Sequence, residues 1–198
     1  MLGTILICGD SFAAEWPVTG TNLGWPLLLK DQYSIVNQAN PGIGEYKILQ
    51  QLINENLSAY SAVIVCHTSP NRVHIKKHPV HKDFYKNADL IYNDVVEHAA
   101  HHAKNLILQT AKNYFELVYD QGYYDDIYRL IQKEIVELTA DIRCLHLTPL
   151  VDINNDLFTH YLNLQKMCSV APGDTNHYSA EDNKKVFYAI KEWLGDYA

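Results

Sequence analysis

Apolar positions fall into two patterns along this chain: short unbroken runs, and longer stretches at helical spacing. Five runs of the first kind, Thr4–Cys8, Ser34–Gln38, Ala62–His67, Asn105–Gln109 and Ile142–Leu147, are short, partly β-branched and bounded by polar or turn residues. Runs of that length without alternation predict strands buried on both faces. Between and after them come helical patterns. Leu23–Gln32 has Pro26 in its first turn, and Glu45–Leu57 places Ile48, Leu49, Leu52, Ile53 and Leu57 on one face. Phe84–Lys104 repeats Leu90, Ile91, Val95 and Ala99, and Tyr123–Ala140 repeats Ile127, Leu130, Ile131, Ile135 and Leu138. A last helix from Ala180 to about residue 194 begins at Ser179, a capping residue followed by Glu181 and Asp182. Strands alternating with such helices predict a parallel sheet covered on both faces, with right-handed crossovers. The least regular stretches are Thr68–His81 and Thr148–Pro172, and long loops at a sheet edge are often functional.

Composition narrows the picture. A chain of 198 residues, 47% hydrophobic and 20% charged, has the size and make-up of one globular domain spanning 1–198. Its formal charge is −7 and its longest basic clusters are Lys76-Lys77 and Lys184-Lys185, so a nucleic-acid-binding face is not expected. No apolar stretch approaches the roughly 20 residues of a membrane span, so no membrane partner is expected. The first strand begins by Thr4, leaving no room for a signal peptide, and a cytoplasmic location is expected. Three of the four cysteines, Cys8, Cys66 and Cys144, lie in apolar runs and are expected as free thiols.

The chemistry gathers at predicted strand ends. "TILICGDSFA" stops its apolar run on Gly9-Asp10-Ser11, which puts Ser11 at the carboxyl edge of the first strand. "PGDTNHYSAED" places Asp174 three residues before His177, ahead of the last helix. On a loop, that spacing lets a carboxylate reach the near imidazole nitrogen, fixing the tautomer of a base that activates a serine. Oxyanion donors are available in "NQANPGIGEY", through Gly42 or Gly44, in "HTSPNR", through Asn71, and in the amide of Ser11.

Four blocks in this order, each at a predicted strand end and together spanning residues 9–177, resemble the SGNH (GDSL-type) hydrolase family. The resemblance implies a three-layer, flavodoxin-like α/β/α sandwich with five parallel strands in the order 2-1-3-4-5. It implies Ser11 as nucleophile, His177 as base and Asp174 as orienting acid, with Ser11, Gly42 and Asn71 forming the oxyanion hole. Asp10, Gly44 and Arg72 are candidate substrate-binding residues. The implied reaction is hydrolysis or transfer of an acyl ester through an acyl-enzyme, without metal or cofactor. The substrate expected is a small-molecule or carbohydrate ester, such as an O-acetylated sugar. The sequence departs from the family in Phe12, where Leu is common, and in Ser69-Pro70-Asn71-Arg72, where many members have Gly-x-Asn-Asp.

Plainer readings stand beside this one. Ser11 could cap a helix, Asp174 and Asn71 could be turn residues, and Gly42 and Gly44 could serve only the turn into the next helix. An inactive relative keeping the fold as a binding or structural module is the alternative function. A nucleotide site is disfavoured, because the glycines follow the second strand and no Gly-x-Gly-x-x-Gly or Walker lysine occurs. The ten histidines include two sets at ligand-like spacing, His74/His78/His81 and His98/His101/His102, but no Cys or carboxylate completes either in an obvious pattern. His67 and His146, ending predicted strands, read as core or rim histidines.

Overall fold

The structure, a computed structural model, describes residues 3–16, 22–150 and 155–195. Five parallel strands form one sheet: β1 (Ile5–Gly9), β2 (Ile35–Asn37), β3 (Ala62–Cys66), β4 (Cys144–Leu147) and β5 (Tyr161–Leu162), in the order β2-β1-β3-β4-β5. The helices are α1 (Trp25–Lys30), α2 (Glu45–Ile53), α3 (Tyr92–His101), α4 (Leu106–Leu117), α5 (Gln121–Leu138), α6 (Leu164–Met167) and α7 (Ala180–Gly195). The period-2 alternation of strand side chains sorts the core into two halves. Ile5, Ile7, Ala62, Ile64 and Leu145 join the apolar faces of α1, α6 and α7, whereas Leu6, Cys8, Val63 and Val65 join those of α2 and α5. Every residue of β1 and β3 is buried, which explains why both read as continuous apolar runs. The sheet order is the one the family resemblance implies. All four cysteines are buried and free. Among the described residues, no helix is long and apolar enough to cross a membrane.

One strand is not where the sequence placed it. The Asn105–Gln109 run is the start of helix α4. The Asn105 side chain accepts hydrogen bonds from the Ile107 and Leu108 amides, an N-cap, and Leu108 and Ala111 turn inward at helical spacing. The fifth strand is instead β5, two residues inside the stretch expected to be loop; residues 151–154 of that stretch lie outside the described residues. The helix expected from Phe84 begins only at Tyr92, after a single 3₁₀ turn at Asp83–Tyr85. The α3–α4 pair packs around Leu90, Val95 and Ala111, apart from the two sheet faces.

Candidate active site

The carboxyl end of β1 runs straight into a tight turn, in which the amides of Ala13 and Ala14 both bond to the Asp10 carbonyl. This turn lifts Ser11 to the sheet edge, where it stays 6% exposed. The opposite wall is the segment between Val170 and Tyr178, which pair as an isolated antiparallel bridge. Within it Asn176 and His177 both lie in the left-handed region, at φ 54° and 59°. Two consecutive non-glycine residues in that region are costly and persist only where the surroundings over-determine them. Here they do. The Asn176 amide donates to the Ala14 carbonyl at 2.7 Å and to that of Ser11 at 3.4 Å. Asn183 of α7, buried, donates to the carbonyls of Thr175 and Tyr178 and accepts from the Trp25 amide. Gly24, at φ 73°, is required as well, because a Cβ there would come within 1.9 Å of Asn176 Oδ1.

The outcome of this scaffolding is a contact between residues 166 positions apart: His177 Nε2 lies 2.9 Å from Ser11 Oγ. The imidazole packs against Phe12, with centroids 4.7 Å apart, and meets the edge of the Trp16 indole at 5.1 Å. Trp16 in turn donates its Nε1–H to the Ser11 carbonyl at 2.8 Å. Burial, together with the positive charge of Arg72, holds the His177 pKa below the ordinary histidine value. An imidazole so depressed is neutral, and able to take a proton, at neutral pH.

Asp174 is placed differently. Its carbonyl accepts the His177 amide at 2.9 Å, but its side chain is exposed. Among the described residues, no hydrogen bond or ion pair joins the Asp174 carboxylate to the imidazole.

The glycine block after β2 splits in two. Gly42 adopts φ 77°, and a Cβ there would sit 2.7 Å from that of Ala88, so only glycine fits. Its carbonyl is held by the Asp89 amide and by Arg72 Nη1, while among the described residues neither its own amide nor that of Ser11 has an acceptor. The Gly44 amide is engaged, donating to Asp89 Oδ2 at 2.7 Å.

After β3, Asn71 and Arg72 part company. Asn71 is exposed, accepts from the Ser69 hydroxyl, and lines a cavity of about 550 Å³ with Tyr92, Phe115 and Tyr119. Arg72 turns inward. Its Nη1 bonds the Gly42 carbonyl at 2.8 Å, its Nε bonds Thr68 Oγ1 at 3.1 Å, and its Nη2 lies 3.9 Å from Asp10 Oδ2. It also lines a second cavity of about 220 Å³ whose far wall includes Tyr123 and Tyr124, from the tyrosine-rich start of α5. Asp10 is completely buried and accepts from the Phe12 amide and Thr68 Oγ1. Burial pushes its pKa up to about 6, with Arg72 and these two hydrogen bonds pulling the other way.

Beneath these residues runs a polar network that sequence reasoning missed. Glu45, the first residue of α2, accepts from the Thr68 amide at 3.2 Å and from His67 Nδ1. His67 Nε2 meets His146 Nδ1 at 3.0 Å, and Phe158 stacks on the His146 ring. Burial, then the neighbouring His67 and His160, push the His146 pKa down to about 2, so it stays neutral. Through Thr68 this chain meets Asp10, making one connected set under the rim. Positions 45, 67 and 146 share no local pattern; only the fold unites them.

A five-stranded parallel sheet with a hydrogen-bonded serine–histidine pair at the carboxyl edge of its second strand in space defines an α/β protein with a potential nucleophile. Compared with known proteins, the chain matches no family model and no curated protein. Among solved structures, it is similar to one from Desulfitobacterium hafniense DCB-2, described as a candidate lipolytic protein of the G-D-S-L family. That likeness has 14% identity over 96% of this chain and 98% of the other, with a TM-score of 0.39.

Proposed function

We propose that the protein is a serine-dependent acyl-ester hydrolase or acyltransferase. The observation that carries this reading is the 2.9 Å contact between His177 Nε2 and Ser11 Oγ, held in a desolvated notch at the sheet edge. His177 removes the hydroxyl proton as Ser11 attacks the ester carbonyl, and the oxyanion of the tetrahedral adduct settles on the amides of Ser11 and Gly42. His177 then protonates the leaving alcohol. Water, or a second alcohol in a transferase, attacks the acyl-enzyme with His177 again as base. Gly42 is favoured over Gly44 because the Gly44 amide is already spent on Asp89. Asn71 and Asp174 keep their assigned roles as side-chain donor and orienting acid only if their side chains swing from their exposed positions. Arg72, cationic and facing inward, supports an acyl ester whose alcohol or acyl part is polar or anionic, such as an acetylated sugar, over a long lipid chain.

A p-nitrophenyl ester series from acetyl to decanoyl tests this. Turnover confined to short acyl groups and lost in Ser11→Ala is expected; wild-type turnover in Ser11→Ala would remove the assignment. A second reading, a binding module on the same fold, draws on the outward placement of Asn71 and Asp174, and predicts no turnover of any ester in the series.

A further inference from the structure

Away from the serine–histidine pair, the segment before α3 and α3 itself gather three histidines about one carboxylate. Asp94 Oδ2 lies 3.1 Å from His78 Nε2 and 3.4 Å from His81 Nε2, and Asp94 Oδ1 lies 3.2 Å from His98 Nε2. In the sequence these histidines belong to two separate sets, each lacking an acidic partner. The fold merges the sets on Asp94. Among the described residues, every ion-pair partner of Asp94 is a histidine, so no lysine or arginine competes for it.

His78, His81 and Asp94 each bring one ligand atom within 4.8 Å of the others, and His98 approaches the same carboxylate from its other oxygen. Metal–ligand bonds of about 2.0–2.1 Å in a tetrahedron put neighbouring ligand atoms about 3.3 Å apart; His81 Nε2 stands 3.4 Å from Asp94 Oδ2 and His98 Nε2 3.2 Å from Asp94 Oδ1. The His81 and His98 rings have centroids 5.0 Å apart at 81°. Two imidazoles meeting one ion through Nε2 would be separated by about 5 Å with such bonds.

His78 has another part. Its Nδ1 accepts hydrogen bonds from the amides of Val80 at 3.3 Å and His81 at 3.0 Å, which leaves the ring proton on Nε2. An Nε2–H has no lone pair to offer an ion. It donates to Asp94 Oδ2 instead, while the buried ring stacks on His81 with centroids 4.0 Å apart. Outer partners of this kind hold a ligating carboxylate in place.

We propose that His81, Asp94 and His98 bind a divalent transition ion of the zinc type, with water completing the shell and His78 steadying the carboxylate. Two imidazoles and a carboxylate suit zinc or cobalt better than calcium or magnesium, which prefer all-oxygen shells. The location suggests a structural use. The His81 ring packs on Tyr85 at 5.8 Å, Tyr85 packs on Trp16 at 6.3 Å, and Trp16 packs on His177. An ion there would pin the segment that braces the indole beside the base.

The test is a Co²⁺ titration of the full-length, tag-free, chelator-treated chain, followed by visible d–d absorption. One Co²⁺ per chain, with the intense bands of a four- or five-coordinate ion and displacement by Zn²⁺, is expected. His81→Gln, Asp94→Ala and His98→Gln should each weaken binding by more than about 100-fold, and His78→Gln by about 10- to 100-fold. Absence of a wild-type signal at micromolar Co²⁺ would overturn the site without recourse to any variant. Binding that survives both His81→Gln and His98→Gln would overturn it equally.

Discussion

Two parts of the same sheet edge behave in opposite ways. Around the end of β1, residues far apart in sequence converge: Ser11 and His177 are 2.9 Å apart, and Asn176, Asn183 and Gly24 all act to keep them so. After β3, two adjacent residues diverge, with Asn71 in solvent on one cavity and Arg72 folded under the rim onto Gly42, Thr68 and Asp10. The difference teaches that a motif at a strand end fixes where a residue sits in the fold, whereas its direction is set by neighbours. Asn71 and Arg72 share a position; the buried Asp10 carboxylate and the Gly42 carbonyl draw in only the cation.

The largest expected effect breaks the first region. Ser11→Ala and His177→Ala should each reduce ester turnover by on the order of 10⁶-fold, and Ser11→Ala should leave the thermal melt unchanged. Next comes the divergent pair. Arg72→Gln should cost on the order of 10²-fold in kcat/KM and Asn71→Ala less than about threefold, the reverse of what the motif alone implies. The pH profile sharpens the same point. The base must be neutral, and its pKa lies below the ordinary histidine value, so kcat/KM should hold to below about pH 6.5 before falling. Removing the Arg72 charge lifts one cause of that depression, so the acid limb of Arg72→Gln should move to higher pH; an unmoved limb would separate Arg72 from the base.

Asn183→Ala tests the scaffold rather than the chemistry. It strips the Thr175 and Tyr178 carbonyls and the Trp25 amide of a buried partner, and should cost about 2 kcal/mol in denaturant unfolding. The smallest effect is that of His146. Its folded-state pKa is depressed far below that of an unfolded histidine, so the unfolded chain binds the proton first. Stability should therefore fall as pH drops below about 6.5, by about 1 kcal/mol over the first unit, and His146→Gln should flatten that slope.

The sequence read well where a signal is local and badly where it is not. Buried strands such as Ile5–Gly9 and Ala62–Cys66 announce themselves because both faces are covered. The Leu106–Leu108 run looks the same over three residues, and only the capping Asn105 and the spacing of Leu108 and Ala111 reveal a helix. Two residues, Tyr161 and Leu162, are too few for any periodicity to mark a strand. At the site, the four blocks in order single out Ser11 and His177, whose side chains the fold brings within 2.9 Å. The carboxylate direction at Asp174 and the Glu45–His67–His146 network depend on contacts made only in three dimensions.

The most direct test of the central claim is covalent labelling of the intact protein with a fluorophosphonate, with the adduct mapped by mass spectrometry. A nucleophile paired with a neutral imidazole should be modified stoichiometrically at Ser11, with labelling lost in Ser11→Ala and at least about 10²-fold slower in His177→Ala. No adduct, an adduct on another residue, or full-speed labelling without the imidazole would contradict the account.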